Sequence, residues 1–228
     1  MSCRYALLGA HGELGVTHRV TAARRSRAEC ARGLHPLDAP SQDTPANLPD
    51  LLDGLVSPLL RPAAVLVALV ERGAGPQVLF TLRNPDLTHH AGQVSFPGGR
   101  LEEGETIIEG ALREAAEEIG LDAASVELLG FLDPLATISG YRVTPVVAWM
   151  SAAATLRADP SEVAEIFEVS LVHLRDPLSR AERVIQWLGR ERRIGAYKHP
   201  VHDIWGVTAS ILDQLIALPE TALQRKGT

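Results

Sequence analysis

Apolar residues along this chain follow two rhythms, with one helix-period stretch set between strand-period ones. Residues 63–70 (AAVLVALV) are continuously apolar and strand-sized, as in a strand covered on both faces. Residues 71–76 carry two glycines and predict a turn. Residues 77–83 then return as a second strand, hairpin-like with the first, and Asn84-Pro85-Asp86 ends it. From Thr106 the period changes. Ile108, Ala111, Leu112, Ala115 and Ile119 recur at three- and four-residue steps, which predicts a helix with one buried stripe and Gly120 as its C-cap. Residues 126–132 and 141–149 read as further strands. In residues 162–171, Val163, Ile166 and Phe167 give an acidic segment an apolar face that Leu171 and Leu174 continue; spacing alone reads it as a solvated helix turn. The basic stretch 191–202 is expected to form a turn and a strand. Residues 204–216 read as a helix with Ile204, Val207, Ile211, Leu212 and Leu215 as its core stripe. Strands and helices in mixed order, without regular βαβ repeats, predict an α+β or α/β fold: a mixed β-sheet sandwiched between α-helices.

Composition narrows the picture. The 228 residues suit one domain with an extension, and 46% hydrophobic residues can build a substantial core. Residues 1–47 hold six arginines against four acids, show little periodicity and end in Pro36, Pro40 and Pro45. They are expected to be a poorly ordered extension, dispensable for catalysis, with residues 48–228 as the catalytic domain. A natural tail, an arginine-rich targeting segment and an upstream artefact of gene calling stay open for it. The net charge of −6 argues against a nucleic-acid partner. No apolar run is long enough for a membrane span, so no membrane partner is expected. Two cysteines, Cys3 and Cys30, without CxxC spacing fit a reducing compartment and exclude a cysteine-based zinc site. The expected location is cytoplasmic and the expected state a monomer or homodimer.

Candidate chemistry sits on the helix after Thr106. Glu114, Glu117 and Glu118 are spaced so that Glu114 meets both others on one helix surface, and Glu105 approaches from the preceding loop. Crowded carboxylates repel, and the simplest compensation is a hard divalent cation such as Mg²⁺ or Mn²⁺, whose remaining ligands would be phosphate oxygens. Arg113 is placed to pair with Glu109 and Glu117, each four residues away. A solvated acidic helix face would show the same three glutamates. The loop 89–99 adds adjacent histidines, His89 and His90, which as neighbours suit structure or substrate-phosphate contact better than shared metal ligation. Tyr141 and Arg142 are single residues able to meet a nucleotide base and phosphate, or simply to support the strand.

Gly99, five residues, Glu105, seven residues, then Arg113-Glu114-Ala115-x-Glu117-Glu118-x-Gly120-Leu121 resembles the complete signature of the Nudix hydrolase superfamily. Leu79-Phe80-Thr81-x-Arg83 followed by Gly92-x-x-x-Phe96-Pro97-Gly98-Gly99 resembles the extra motif of its coenzyme A diphosphatase branch. Phe80, Asn84 and Thr88 depart from that branch's usual residues while the spacing is kept. A segment similar to Glu162-Val163-x-Glu165-Ile166-Phe167 also occurs in the branch. The likeness spans roughly residues 48–216, with 79–121 the specific part.

The resemblance implies a Nudix fold and metal-dependent hydrolysis of a nucleoside diphosphate derivative. In the branch reading, coenzyme A is cut into 4′-phosphopantetheine and adenosine 3′,5′-bisphosphate. It implies Glu114 and Glu118 as principal metal ligands, Glu117 as ligand or base, Glu105 as accessory and the Gly99 carbonyl as a further ligand. Glu162 or Glu165 becomes a candidate base or extra ligand. Arg83, His89, His90 and Arg142 become candidate phosphate contacts. Two alternatives stand beside this one: another Nudix substrate (ADP-ribose, a dinucleoside polyphosphate or an oxidised nucleotide), or a Nudix-fold binding module without catalysis.

Overall fold

The computed structural model describes residues 33–54, 59–219 and 223. Its centre is β1 (Arg61–Arg72), paired in parallel with β7 (Tyr141–Met150) and antiparallel with β2 (Gly75–Arg83). The sheet runs β3 (Val94–Ser95), β2, β1, β7, β5 (Val126–Phe131), with β4 (Gly98–Arg100) on β1 and β6 (Leu135–Ala136) on β7. One parallel pair among antiparallel ones makes the sheet mixed, as expected.

The apolar run in β1 is explained by its alternation. Ala64, Leu66, Ala68 and Val70 pack on one face with Ala111, Ala115 and Ile119 of helix α1 (Ile107–Ile119). Val67 and Leu69 join the opposite face with Phe80 and the C-terminal helix residues Ile211, Leu212 and Leu215. Successive strand residues point to opposite sides, so a strand buried twice must be apolar throughout. Helix α1 begins where a capping box stops the extended chain. The Thr106 hydroxyl accepts the Glu109 N–H, and the Glu109 carboxylate accepts the Thr106 N–H. This is why Glu109 is not paired with Arg113, as its spacing suggests. Gly120 closes the helix in the left-handed conformation at φ +64°.

Three expectations are corrected. Residues 162–171 are not a helix turn: Val163–Ser170 form strand β8 along the free edge of β2, with Phe80 opposite Phe167, and only Leu171–Arg175 turn helical as α2. An open backbone edge on β2 outweighs the local spacing. A second sheet, β9 (Arg180–Trp187), β10 (Arg190–Tyr197) and β11 (Ile204–Trp205), takes up the basic stretch and more. Ile204 therefore pairs with Tyr197, and the last helix, α3, runs over Val207–Ile216 after Gly206 at φ +66°. Third, residues 33–47 lie against the domain. His35 exchanges backbone hydrogen bonds with Phe131 at 2.8 and 2.9 Å, and the Asn47 side chain bonds both the N–H and the carbonyl of Ala136. The folded unit thus takes in part of the expected extension. Residues 1–32, with Cys3 and Cys30, lie outside the described residues.

Candidate active site

The hairpin-like approach β2–β3–β4 brings two glycines beneath helix α1. At Gly98, φ +152°, a Cβ would collide with the backbone of Ala64 and Val65, so only glycine lets β4 lie this close to β1. At Gly99 a Cβ would run into the Glu114 carboxyl group. The backbone of β4 and the glutamates of α1 are therefore packed face to face.

Glu118 is the most buried of these acids, 2% exposed. One oxygen accepts the Gly98 N–H at 3.2 Å, and the other lies 3.5 Å from the Arg83 guanidinium. Burial, with the neighbouring charges of Glu114 and Glu162, pushes its pKa up to about 7 against the pull of Gly98 and Arg83. Glu114 is raised as well, chiefly by burial, with Glu117 and Glu162 adding to it and Arg113 opposing. Glu162, just ahead of β8, thus shares a field with both ligand candidates.

Arg113 is the clamp of the site, and of the two partners its spacing suggests it keeps Glu117 and exchanges Glu109 for Glu105 and Glu114. It forks onto Glu105 at 2.8 and 3.1 Å, reaches Glu114 at 3.1 Å and Glu117 at 3.0 Å, and donates to the Arg100 carbonyl. Glu105, held below its ordinary pKa by Arg113 and by the Glu102 N–H, is already saturated with donors. Glu117 stands 57% exposed at the rim.

The remaining candidates scatter. Arg83 faces Glu118 and holds its Nε buried with no hydrogen-bond partner. His90, at φ +57°, hydrogen-bonds Gln93, and both line a cleft beside the site; His89 is exposed on the same loop and does not line it. Arg142 is not brought to the glutamates. It donates to the carbonyls of Ser41 and Asp43, pinning the N-terminal segment. Tyr141 carries Arg61 stacked at 4.1 Å. Glu165 turns to the other face of the sheet, 3.4 Å from His202, which itself stacks on Phe167.

Among the described residues, no three acidic, histidine or cysteine side chains are arranged to hold a metal ion as they stand. The donor set nevertheless suits a hard cation. Glu118 is a buried and Glu114 a half-buried oxygen donor, and their repulsion is under-compensated beside a glycine backbone no side chain screens.

The cleft is the feature that sequence reasoning missed. It measures about 500 Å³ and lies between the β2–β3–β4 approach and the second sheet, with Arg83 and Gly98 in its wall. Its outer wall is the β9–β10 hairpin, whose first strand was not foreseen. Strict in–out alternation over 180–187, followed by a Leu188-Gly189 turn, was the available signal.

The chain is similar to proteins already known. Residues 60–188 match the NUDIX domain family. A Photorhabdus laumondii protein described as "Uncharacterized Nudix hydrolase NudL" is 40% identical over 156 residues, covering 68% of this chain and 83% of its own length. An Escherichia coli protein of the same description is 38% identical over 161 residues, covering 68% and 81%. The crystal structure of a Nudix hydrolase from M. smegmatis, RenU, is similar with a TM-score of 0.44 at 26% identity, over 51% of this chain and 74% of that one. The chain belongs to the Nudix hydrolase family.

Proposed function

We propose that this protein hydrolyses the pyrophosphate bond of coenzyme A and its derivatives in a divalent-metal-dependent reaction. The observation that carries the reading is Arg83, which stands between the carboxylate cluster and the cleft with an unpaired, buried Nε. A buried cationic donor without a partner costs stability, and an anionic oxygen at that junction would relieve it. Arg83 belongs to the 79–99 segment, the part that resembles the coenzyme A diphosphatase branch. That segment lines both the cleft and the glutamates.

In this reading Glu114 and Glu118 would hold Mg²⁺ or Mn²⁺, with the Gly99 carbonyl alongside; Glu105 and Glu117 stay with Arg113 and keep the cluster in register. The cation supplies charge neutralisation at the diphosphate and a more acidic water. Water adds to one phosphorus, the bridging P–O bond breaks, and the bridging oxygen leaves on the other phosphate. Glu162, exposed and in the field of both ligands, takes the proton of the attacking water. Glu165, 3.4 Å from His202 on the other face of the sheet, is given no part in this step. Arg83 orients the phosphate, and His90 stands at the cleft edge for a further phosphate contact.

The test is a substrate panel with Mg²⁺ and with Mn²⁺: coenzyme A, ADP-ribose, a dinucleoside polyphosphate and an oxidised nucleoside triphosphate, with products identified by mass. Coenzyme A is expected to be turned over best, giving 4′-phosphopantetheine and adenosine 3′,5′-bisphosphate. Preferential turnover of another member would replace this reading.

A further inference from the structure

The cleft has a composition that the fold alone does not require. Along β9, residues 181, 183, 185 and 187 are half-buried and alternate with exposed 180, 182, 184 and 186. The inward row should be core, yet Ile185, Trp187, Ile194 and Trp205 stay only half covered because they overhang open space. Across from them stand Val65, Val94 and Phe96 of the main sheet. Apolar surface left uncovered around a cavity of this size marks a ligand-binding wall rather than a packing remnant.

The guanidinium groups of the hairpin are mostly engaged. Arg180 pairs with Asp213, Arg183 with Asp203 and Arg193 with Glu182, while Arg192 donates to the Asp50 carbonyl. Arg183 and Arg192 also lie flat over Trp205 and Trp187, at 4.6 and 4.7 Å. The roof therefore offers aromatic and aliphatic area with little free charge. Of the two roof arginines that line the cleft, Arg193 is paired with Glu182 and Arg192 is spread over Trp187, which leaves little for a second charged phosphate arm. Hydroxyl groups on the opposite side, Thr137, Ser139 and Ser95 among them, supply scattered hydrogen-bonding partners.

We infer that the β9–β10 hairpin is the specificity element of the enzyme, and that the cleft beneath it seats the non-nucleotide arm of the substrate, an extended chain of aliphatic and amide character joined to the scissile diphosphate. The inference rests on the coenzyme A reading, in which that arm is pantetheine. Arg83 and Gly98 fix the polarity: both touch Glu118 and both line the cleft, so a diphosphate at the glutamates continues directly into it. The nucleotide then lies on the solvent side of the glutamates, away from the hairpin.

The experiment uses the full chain with two filling variants, Ile185→Trp and Ile194→Trp, and Val184→Trp on the outer face of the same strand as a control. Thermal unfolding checks that each is folded, and Ile185→Phe serves if a larger residue is not tolerated. The ratio of kcat/KM for coenzyme A to that for ADP-ribose, whose second arm is a compact sugar, is expected to fall at least about tenfold in the filling variants. The change should come mainly through the KM for coenzyme A, and the Val184→Trp ratio should match wild type. An unchanged ratio in folded filling variants would overturn the inference. A separate binding measurement is independent of turnover. Wild type is expected to bind 4′-phosphopantetheine at millimolar concentration and Ile194→Trp to bind it at least about tenfold more weakly. Absence of wild-type binding overturns the cleft assignment. Binding without coenzyme A hydrolysis instead overturns the proposed reaction and leaves the cleft assignment standing.

Discussion

Two regions meet at Arg83 and Gly98 and treat polarity in opposite ways. On the helix α1 side, charge is crowded and unfinished: Glu118 is buried with its pKa pushed up to about 7, and Arg83 keeps a buried nitrogen unpaired. On the hairpin side Arg180, Arg183 and Arg193 are paired with carboxylates and Arg192 lies over Trp187, and it is apolar surface that is left unfinished. Isolated, each arrangement costs stability, since charge without compensation and apolar area without cover are both unfavourable. Together they describe a ligand with a charged centre and a largely neutral arm. The difference teaches where to look for each property: reactivity where electrostatics are unbalanced, selectivity where packing is incomplete.

The comparison breaks most readily at the carboxylates. Glu114→Gln and Glu118→Gln each remove a hard oxygen donor without removing volume. A bound cation stabilises the transition state by several kcal/mol, so kcat is expected to fall roughly 10²–10³-fold while circular dichroism and thermal unfolding show an intact fold. Glu162→Gln should lower kcat by a factor on the order of 10² or more, as for a lost proton acceptor. Wild-type rates in any folded member of this set would remove that residue from the machinery.

A pH titration of the metal-free protein sharpens the same side. Glu118 is raised in the folded state, so its contribution is fully present below the ordinary carboxyl pKa of 4.5 and is lost as pH rises through about 7. Stability in the presence of a chelator is expected to decline by about 3 kcal/mol across that window. Glu118→Gln should flatten the decline and leave the metal-free protein more heat-stable at pH 8 than wild type. Added Mg²⁺ or Mn²⁺ should reverse the wild-type loss, because a cation that binds the folded state stabilises it. A flat wild-type profile from pH 4.5 to 8 in chelator would contradict the frustration assigned to this site.

Arg83 tests the junction itself. Arg83→Gln should lower kcat/KM about 10- to 100-fold, as expected for losing a charge-assisted contact to phosphate. Arg83→Lys should restore only part, since an ammonium lacks the planar fork. Arg142→Gln should leave kcat/KM at wild-type level while costing about 1–2 kcal/mol of stability through its bonds to Ser41 and Asp43. If Arg142→Gln proved the more damaging of the two to catalysis, the placement of substrate at Arg83 would be wrong.

These two arginines also show what was legible beforehand. The helix and its glutamates could be read because their partners lie within one turn or one loop, so spacing carries the geometry. β1 was legible because a strand covered on both faces has no polar positions along its buried run, and β2 because the turn at Gly73 and Gly75 folds it back on β1. Where the partner is remote, the chain is silent. Nothing local distinguishes Arg83 from Arg142 as a phosphate contact, because the difference is made by Ser41, Asp43 and Glu118, which lie 35 to 101 residues away. Strand β8 read as helix for the same reason: its apolar spacing was ambiguous, and the edge of β2 decided it. The first strand of the hairpin roof went unread because a wall facing a cavity is neither core nor surface, and its half-covered residues give a weak contrast.

The smallest expected effect belongs to Glu165, three residues from Glu162 and similar in every local respect. Strand alternation and the register with β2 send it to the opposite face of the sheet, beside buried His202 and the Phe167 ring. Glu165→Gln keeps a hydrogen-bond acceptor for His202 and removes only the charge of a pair in which the glutamate is 49% exposed. Such a pair contributes no more than about 1 kcal/mol. The variant should therefore unfold at a slightly lower temperature and keep kcat within about twofold of wild type, a barrier change well under 1 kcal/mol. If Glu165→Gln instead lost turnover as Glu162→Gln is expected to, the sheet would not separate the two glutamates functionally. The division between a reactive face and a recognition face would then have to be drawn elsewhere than along β8.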